Sequence, residues 1–188
     1  MISLGAYYVV LAALGAERIL EVIISARNAR WAFARGAVES GVRHYPAMVA
    51  FHTLFIVACG VEAKIFGDPF ARAIGWFALG GALGAQALRY WAVATLGRRW
   101  NTRVIVLPDA APVTSGPYRL IRHPNYLAIV IEMIAVPMIY GCWRTAAVFS
   151  AANVLMLRVR IKAEESALGA PYQKSFSAVP RLIPRLRH

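Results

Sequence analysis

Acidic residues are scarce in this chain: nine Asp and Glu stand against 21 Lys and Arg, a formal net charge of +12 at pH 7. Cysteine is scarcer still, with only Cys59 and Cys142, far apart and each inside apolar sequence. No Cys-x-x-Cys or Cys/His cluster exists, so a metal site and a disulfide framework are both unsupported. The pair reads as two small hydrophobes in a reduced protein. A Gly-rich dinucleotide-binding turn is missing, which argues against a soluble Rossmann-type enzyme. No basic residue precedes Arg18, so the start lacks a signal peptide's positive leader and reads as a retained membrane span. Internal repeats and low-complexity linkers are also lacking, and 188 residues suit one domain, 1–188.

What is abundant is apolar sequence. Hydrophobic residues make up 59% and charged residues 16% of the chain, against about 45–50% and about 25% in soluble domains. Mean hydropathy is +0.53. So much apolar surface calls for a hydrocarbon solvent, and the expected fold is an all-α integral membrane protein. Five apolar segments stand out: Leu4–Ser25, Pro46–Phe66, Phe70–Leu96, Pro124–Tyr140, and Trp143–Leu157 with a charged helical extension. Residues 1–96 would hold three spans; 97–188 would hold a cofactor-binding loop, a helical hairpin and a tail.

The basic residues lie between these segments, which favours loops against anionic lipid over nucleic-acid binding. Arg27, Arg30, Arg35 and Arg43 follow the first span; Lys64 and Arg72, offset by Glu62 and Asp68, follow the second. Arg98, Arg99, Arg103, Arg119 and Arg122 follow the third, Arg144 alone the fourth, and the tail carries seven including Arg158, Arg160, Arg185 and Arg187. Rich and poor loops alternate. The positive-inside rule then puts the N-terminus outside and the tail in the cytoplasm.

Several polar residues interrupt the spans. Glu17, Glu21, Ser25 and Asn28 form one stripe on a helix, with Arg18 beside it. Each charge at membrane depth costs about 2.5–3.5 kcal/mol on insertion scales and needs a partner or a wet cavity. His52 reads as a hydrogen-bonded core residue, and Glu62 as a carboxylate near the outer end within reach of water. Gly80-x-x-x-Gly84, with Gly75 and Gly81, reads as a helix-packing face. Arg89, with Tyr90 and Trp91, reads as a snorkelling cation in an interfacial belt. Glu132 lies about two turns into the fourth span and is expected to be protonated, paired with Arg18, or turned to a cavity. In the last case it could take a proton from a substrate hydroxyl.

Two polar clusters flank the last spans. Ser115-Gly116-Pro117-Tyr118-Arg119-Leu120-Ile121-Arg122-His123-Pro124-Asn125-Tyr126 precedes the fourth; Arg158-Val159-Arg160-Ile161-Lys162-Ala163-Glu164-Glu165 follows the fifth. Taken alone, the first is a positive-inside loop and the second a solvated helix with an Arg160–Glu164 pair. Both fall on the cytoplasmic side, where together they could build a pocket. Arg122 could grip a carboxylate or phosphate, Glu164 or Glu165 a ribose diol or ammonium, and Tyr118 and Tyr126 a cation. Such a set suits S-adenosylmethionine; it also suits a nicotinamide dinucleotide.

The segments Gly116-Pro117-Tyr118-Arg119, Arg122-His123-Pro124-x-Tyr126, Glu164-Glu165 and Val179-Pro180-Arg181-Leu182-Ile183-Pro184 resemble the isoprenylcysteine carboxyl methyltransferase and phospholipid methyltransferase superfamily. Glu17-Arg18-x-x-Glu21, Ala26-Arg27-Asn28-x-x-Trp31, His44-Tyr45-Pro46 and Leu96-Gly97-Arg98-Arg99-Trp100-Asn101-Thr102-Arg103 resemble a small bacterial subgroup associated with type III polyketide synthases. The resemblance implies an S-adenosylmethionine-dependent enzyme of the bacterial inner membrane. It would methylate a lipophilic acceptor arriving from the bilayer: an alkylpyrone or phenolic lipid hydroxyl first, a prenylcysteine carboxylate second, a phospholipid amine third. On the family pattern Tyr118, Arg122, His123, Pro124, Tyr126, Glu164 and Glu165 form the cofactor pocket. Arg122 is expected to serve the reaction as well, and so, from its own place in the fourth span and not from the family, is Glu132. Ala128 stands where that family usually has Gly. The rival readings are an NADPH-dependent membrane sterol reductase, whose signature is similar, and a non-enzymatic membrane subunit.

Overall fold

A computed structural model of the chain describes residues 2–42, 45–66 and 72–183. Arg43, His44, Asp68, Phe70, Pro184, Arg185 and Arg187, named above, lie outside the described residues. Five helices account for most of the chain: α1 Leu4–Phe33, α2 Tyr45–Phe66, α3 Arg72–Leu96, α4 Pro124–Met138 and α5 Trp143–Ser175. α3 lies along α4, α4 along α5, and α2 between α1 and α5. The core where they meet holds Tyr7, Phe55, Cys59, Met133, Cys142 and Leu157. Tyr7 stacks on Tyr140 at 5.3 Å between ring centroids, which closes the end of the bundle near the α4–α5 turn.

The fold is not purely helical. Two three-residue strands, β1 Val38–Ser40 and β2 Val104–Val106, pair antiparallel with Val38 opposite Val106 and Ser40 opposite Val104. β2 is the β-branched run of the long loop before α4. β1 has no comparable pattern and forms because α1 delivers it beside β2. An Arg103–Glu39 ion pair adds to this pairing.

The five apolar segments become five helices, but these are unequal as membrane spans. α2 alone among the described helices is both long and apolar enough by itself to cross a bilayer. The charged stripe interrupts α1. α4 has 15 residues, about 22 Å of helix against a hydrocarbon core of about 30 Å. The outward surface is nonetheless apolar over several helices: Val9, Ile19 and Leu20 on α1, Leu54 and Val61 on α2, Phe77 and Leu83 on α3, and Val148 and Leu155 on α5 are all exposed. Apolar surface this extensive marks contact with a membrane or a partner.

Helix ends follow from local chemistry. Ser3 caps α1 by accepting from the Ala6 amide at 3.2 Å, and Pro124 starts α4 where no amide proton is needed. Cys142 gives α5 no side-chain cap. Glu62 supplies one from α2, accepting from the Arg144 amide at 3.1 Å and the Thr145 amide at 2.7 Å. Glu62 is therefore buried, not water-exposed as expected. A carboxylate there also complements the helix dipole.

The glycines of α3 divide differently from the Gly80-x-x-x-Gly84 reading. A Cβ on Gly80 or Gly84 would meet nothing within 4 Å; on Gly75 it would lie 3.0 Å from the Ile139 carbonyl oxygen, and on Gly81 3.5 Å from the Ala135 Cβ. Gly75 and Gly81 thus let α3 approach α4. Gly75→Ala should destabilise the protein by about 1–3 kcal/mol through overpacking, read as a lower melting temperature in detergent. Gly80→Ala should leave it unchanged or raise it slightly.

Candidate functional site

The site is assembled from the loop before α4, the charged end of α5 and the tail. Gly116 sets the first position. Its φ of +55° is a left-handed conformation, and a Cβ there would fall 2.5 Å from Thr95 Oγ1 and 3.2 Å from Trp91 Nε1. Only glycine allows the short 3-10 turn Gly116–Arg119 to seat against α3. That seating buries Tyr118.

The next residues are held by the tail. The Arg122 amide donates to the Pro180 carbonyl at 2.9 Å and the His123 amide to the Arg181 carbonyl at 3.0 Å. Arg122 Nε donates to the Val179 carbonyl at 2.6 Å. α5 runs beside this strap until Gly169, whose φ of 67° and ψ of −160° break the helix. The break brings Tyr172 and Phe176 back toward the loop, their rings 4.6 Å apart.

Together with β2 and the chain after it, these pieces enclose a cavity of about 430 Å³, within the usual range for small-molecule sites. Tyr118, Arg122, His123, Tyr126 and Glu164, five of the residues proposed from sequence, all line it. So do Asn125, Arg160, Tyr172 and Phe176, which sequence reasoning did not assign to it. The opposite wall, Val104 to Leu107, is apolar.

Pro124 and Glu165 are not among the lining residues. Pro124 begins α4. Glu165 accepts from His123 Nε2 at 3.1 Å and from Arg181 Nη2 at 2.7 Å, with Arg122 Nη1 at 3.8 Å. Its place is behind the motif, tying it to the tail. Burial pushes the Glu165 carboxyl up, but the hydrogen bonds from Arg181 and His123 outweigh it and hold the group below its ordinary value. Burial first, and the Glu164 charge second, push the Tyr118 and Tyr172 phenols well above theirs. Both therefore stay protonated and able to donate.

Arg160 departs most from expectation. It is 7% exposed, so the solvated i,i+4 pair with Glu164 does not form. Its Nε donates to the Tyr126 hydroxyl at 3.0 Å, its Nη2 donates to the Thr102 carbonyl, and the Tyr126 hydroxyl in turn donates to Glu164. The sequence did hold a signal: Arg160 shares a helix face with Leu157, Glu164 and Leu168, whereas Arg158 and Lys162 do not.

Of the alternatives for Glu132, pairing with Arg18 is the one found, and the side chain lies away from the cavity lining where it would have served as a proton acceptor. It is 4% exposed and pairs with Arg89 and, at 3.4 Å, with Arg18. Arg89 is no snorkelling cation: at 2% exposed it also meets Glu21 at 3.3 Å, and its Nη1 reaches Asn125 Oδ1 at 3.5 Å. Arg18 closes the network on Glu21 at 2.6 Å and on Glu17 at 3.1 Å. His52 binds the Met48 carbonyl at 2.8 Å, a core contact.

Because folded Glu165 titrates below its ordinary value, the stability it contributes is present above that value and is lost as pH falls through the lower, folded one. The strap should therefore loosen below about pH 4. Hydrogen exchange at the Arg122 and His123 amides, corrected for its intrinsic pH dependence, should speed up there. In Glu165→Gln it should already be fast at neutral pH.

Residues 77–170 match the isoprenylcysteine carboxyl methyltransferase (ICMT) family. The chain is 34% identical over 163 residues to "Uncharacterized protein YpbQ" of Bacillus subtilis (strain 168), covering 86% of this chain and 96% of that one. It is 30% identical over 161 residues to an "Uncharacterized protein" of Haemophilus influenzae, covering 85% and 93%. The matched segment contains α4, nearly all of α3, the loop between them and α5 as far as Ala170, the elements that carry most of the cavity. The chain belongs to the isoprenylcysteine carboxyl methyltransferase family of membrane methyltransferases.

Proposed function

We propose that this protein is an S-adenosylmethionine-dependent methyltransferase acting on an oxygen of a lipophilic acceptor drawn from the bilayer. The acceptor is an alkylpyrone or phenolic lipid hydroxyl, as in the polyketide-synthase-associated bacterial subgroup, or a prenylcysteine carboxylate. The observation that carries this reading is the convergence of Tyr118, Arg122, His123, Tyr126 and Glu164 on one cavity with an apolar wall.

The residues present fit the donor. The Tyr172 hydroxyl is buried without a hydrogen-bond partner, a group that a ligand would satisfy. The rings of Tyr118, Tyr126, Tyr172 and Phe176 offer faces to a cation. Glu164 suits an ammonium or a ribose diol, and Arg122 a carboxylate. S-adenosylmethionine supplies a methyl group already activated on a sulfonium. The protein's part is then to align and to exclude water. Asn125, steadied by the Arg89–Glu132 pair, gives Glu132 a positioning part, which replaces the direct proton transfer proposed from sequence.

In this reading the helices cross the bacterial inner membrane five times, with the N-terminus outside and the tail and cavity in the cytoplasm. The alternating basic loops and the outward apolar side chains support that topology.

Purified protein should bind S-adenosylmethionine in calorimetric titration and should not bind NADPH. Arg122→Ala should lose that binding by about tenfold or more, since it removes a charge-assisted hydrogen bond. Incubation of membranes with methyl-labelled S-adenosylmethionine should label a neutral or phenolic lipid detectable by mass spectrometry. Binding of NADPH without S-adenosylmethionine would make the chain a reductase instead.

A further inference from the structure

Away from the cavity, α1 and α2 leave an open groove of about 510 Å³ between them. Leu11, Ala12 and Gly15 of α1 and Val57, Gly60 and Val61 of α2 line its length, all apolar. Small residues keep it open: a Cβ on Gly15 would meet nothing within 4 Å. Its polar groups gather at one end. There the Tyr8 hydroxyl donates to the Gly60 carbonyl at 3.2 Å, and Lys64 follows one turn later on the same face of α2. From Tyr8 to Gly15 the groove then runs along about 10 Å of helix without a charge. One cation followed by an apolar furrow is the outline of an amphiphile's binding site.

Lys64 is exposed and makes no ion pair among the described residues. Glu62, two residues before it, is turned away to the start of α5. The level is that of lipid headgroups. Phe66 and Trp143 are exposed at this end of the bundle, with Arg144 lying 4.7 Å and 4.8 Å from their ring centroids, and such aromatic side chains belong to membrane interfaces. A cation at that depth calls for an anion. A second copy of the chain would not bring one: among the described acids Asp109 alone is exposed, and it lies on the loop at the cavity. A neutral lipid would leave the ammonium bare. A phospholipid with net negative charge answers both parts of the groove.

We propose that the α1–α2 groove binds an anionic phospholipid, with the phosphodiester at Lys64 and an acyl chain lying past Gly60 and Gly15. The chain covers the seam between the two helices, and the headgroup supplies the missing charge. No residue of the cavity takes part, so the site stands or falls separately from the methyltransferase reading.

The test uses full-length protein in dioleoylphosphatidylcholine vesicles. These carry a minor amount of phosphatidylglycerol with a diazirine on one acyl chain, or the matching phosphatidylcholine probe. After illumination, labelled peptides are located by mass spectrometry. The phosphatidylglycerol probe should label residues 8–15 and 56–64 about fivefold more than the phosphatidylcholine probe, the preference expected of one lysine at an anionic headgroup. Lys64→Gln should bring the two probes level, and Lys64→Arg should keep the preference because the charge survives. Gly15→Leu should cut labelling by both probes severalfold, since its side chain fills the furrow while leucine suits a helix better than glycine. Arg144→Gln should keep the preference, because Phe66 and Glu62, beside which Arg144 lies, are on the far side of α2 from Lys64. Equal labelling by the two probes in the wild-type protein would overturn the proposal. So would a preference that survives in Lys64→Gln, labelling of the groove undiminished in folded Gly15→Leu, or cross-links between copies through α1 and α2 in place of lipid label.

Discussion

A charge carried into apolar surroundings must meet its opposite, and this fold is arranged around that requirement. Glu17, Arg18 and Glu21 leave α1 no freedom to rotate: they must face Gln86 and Arg89 on α3 and Glu132 on α4. Removing one member of a buried pair costs about 3–5 kcal/mol because the other is left bare, although a well-packed apolar replacement of both can cost nothing. The network is thus better understood as fixing register than as adding stability. The register matters because the same stripe continues to Ser25 and Asn28. Asn28 holds the Trp100 carbonyl at 2.7 Å, and Ser25 binds Asn101 and Thr102. Those residues lead into β2, so the orientation of α1 sets one wall of the cavity.

The opposite wall depends on a second carboxylate. Glu165 gathers His123, Arg181 and, more loosely, Arg122 on one side chain. The tail backbone then completes the amides of Arg122 and His123. The two adjacent acids, Glu164 and Glu165, consequently divide their work. Helical geometry turns neighbouring residues about 100° apart, so only Glu164 lines the cavity while Glu165 faces the strap. Glu62 shows the same economy at the other end of the molecule, where one acid closes the start of α5.

The helices and most of the cavity were legible in the sequence because they rest on local signals. Apolar runs bounded by Pro124 and Trp143 mark helix starts, and a turn built on Gly116-Pro117 must be a turn wherever it lies. Tyr118, Arg122, His123, Tyr126 and Glu164 follow from that segment and its partner on α5. What was not legible depends on partners distant in the chain. Nothing near Glu62 announces the unfilled amides of Arg144 and Thr145. Nothing near Val38 announces Val106. Arg89 looked like an interfacial cation because its two acidic partners lie 68 residues before and 43 after it. The glycine spacing of α3 was misread for a related reason: a Gly-x-x-x-Gly pattern gives a face, but only the position of α4 says whether that face is used.

Arg160 brings these strands together. Its guanidinium is fixed by a tyrosine from α4 and by a carbonyl whose position α1 determines, so it depends on the family-matched segment and on the N-terminal half at once. Arg122 is fixed instead by the tail. The cavity lining therefore carries two guanidiniums held by different parts of the chain. One is tied to the charged tail and the other to the point where α5 leaves apolar sequence. On the proposed methyl-transfer reading such a division would separate a polar donor from a lipophilic acceptor, because one uniform basic pocket would bind two anionic groups without ordering them. Local fixing of each guanidinium, by the Val179 carbonyl for Arg122 and by the Thr102 carbonyl and Tyr126 hydroxyl for Arg160, limits how far either can drift toward the other, which on that reading would preserve the alignment that transfer requires.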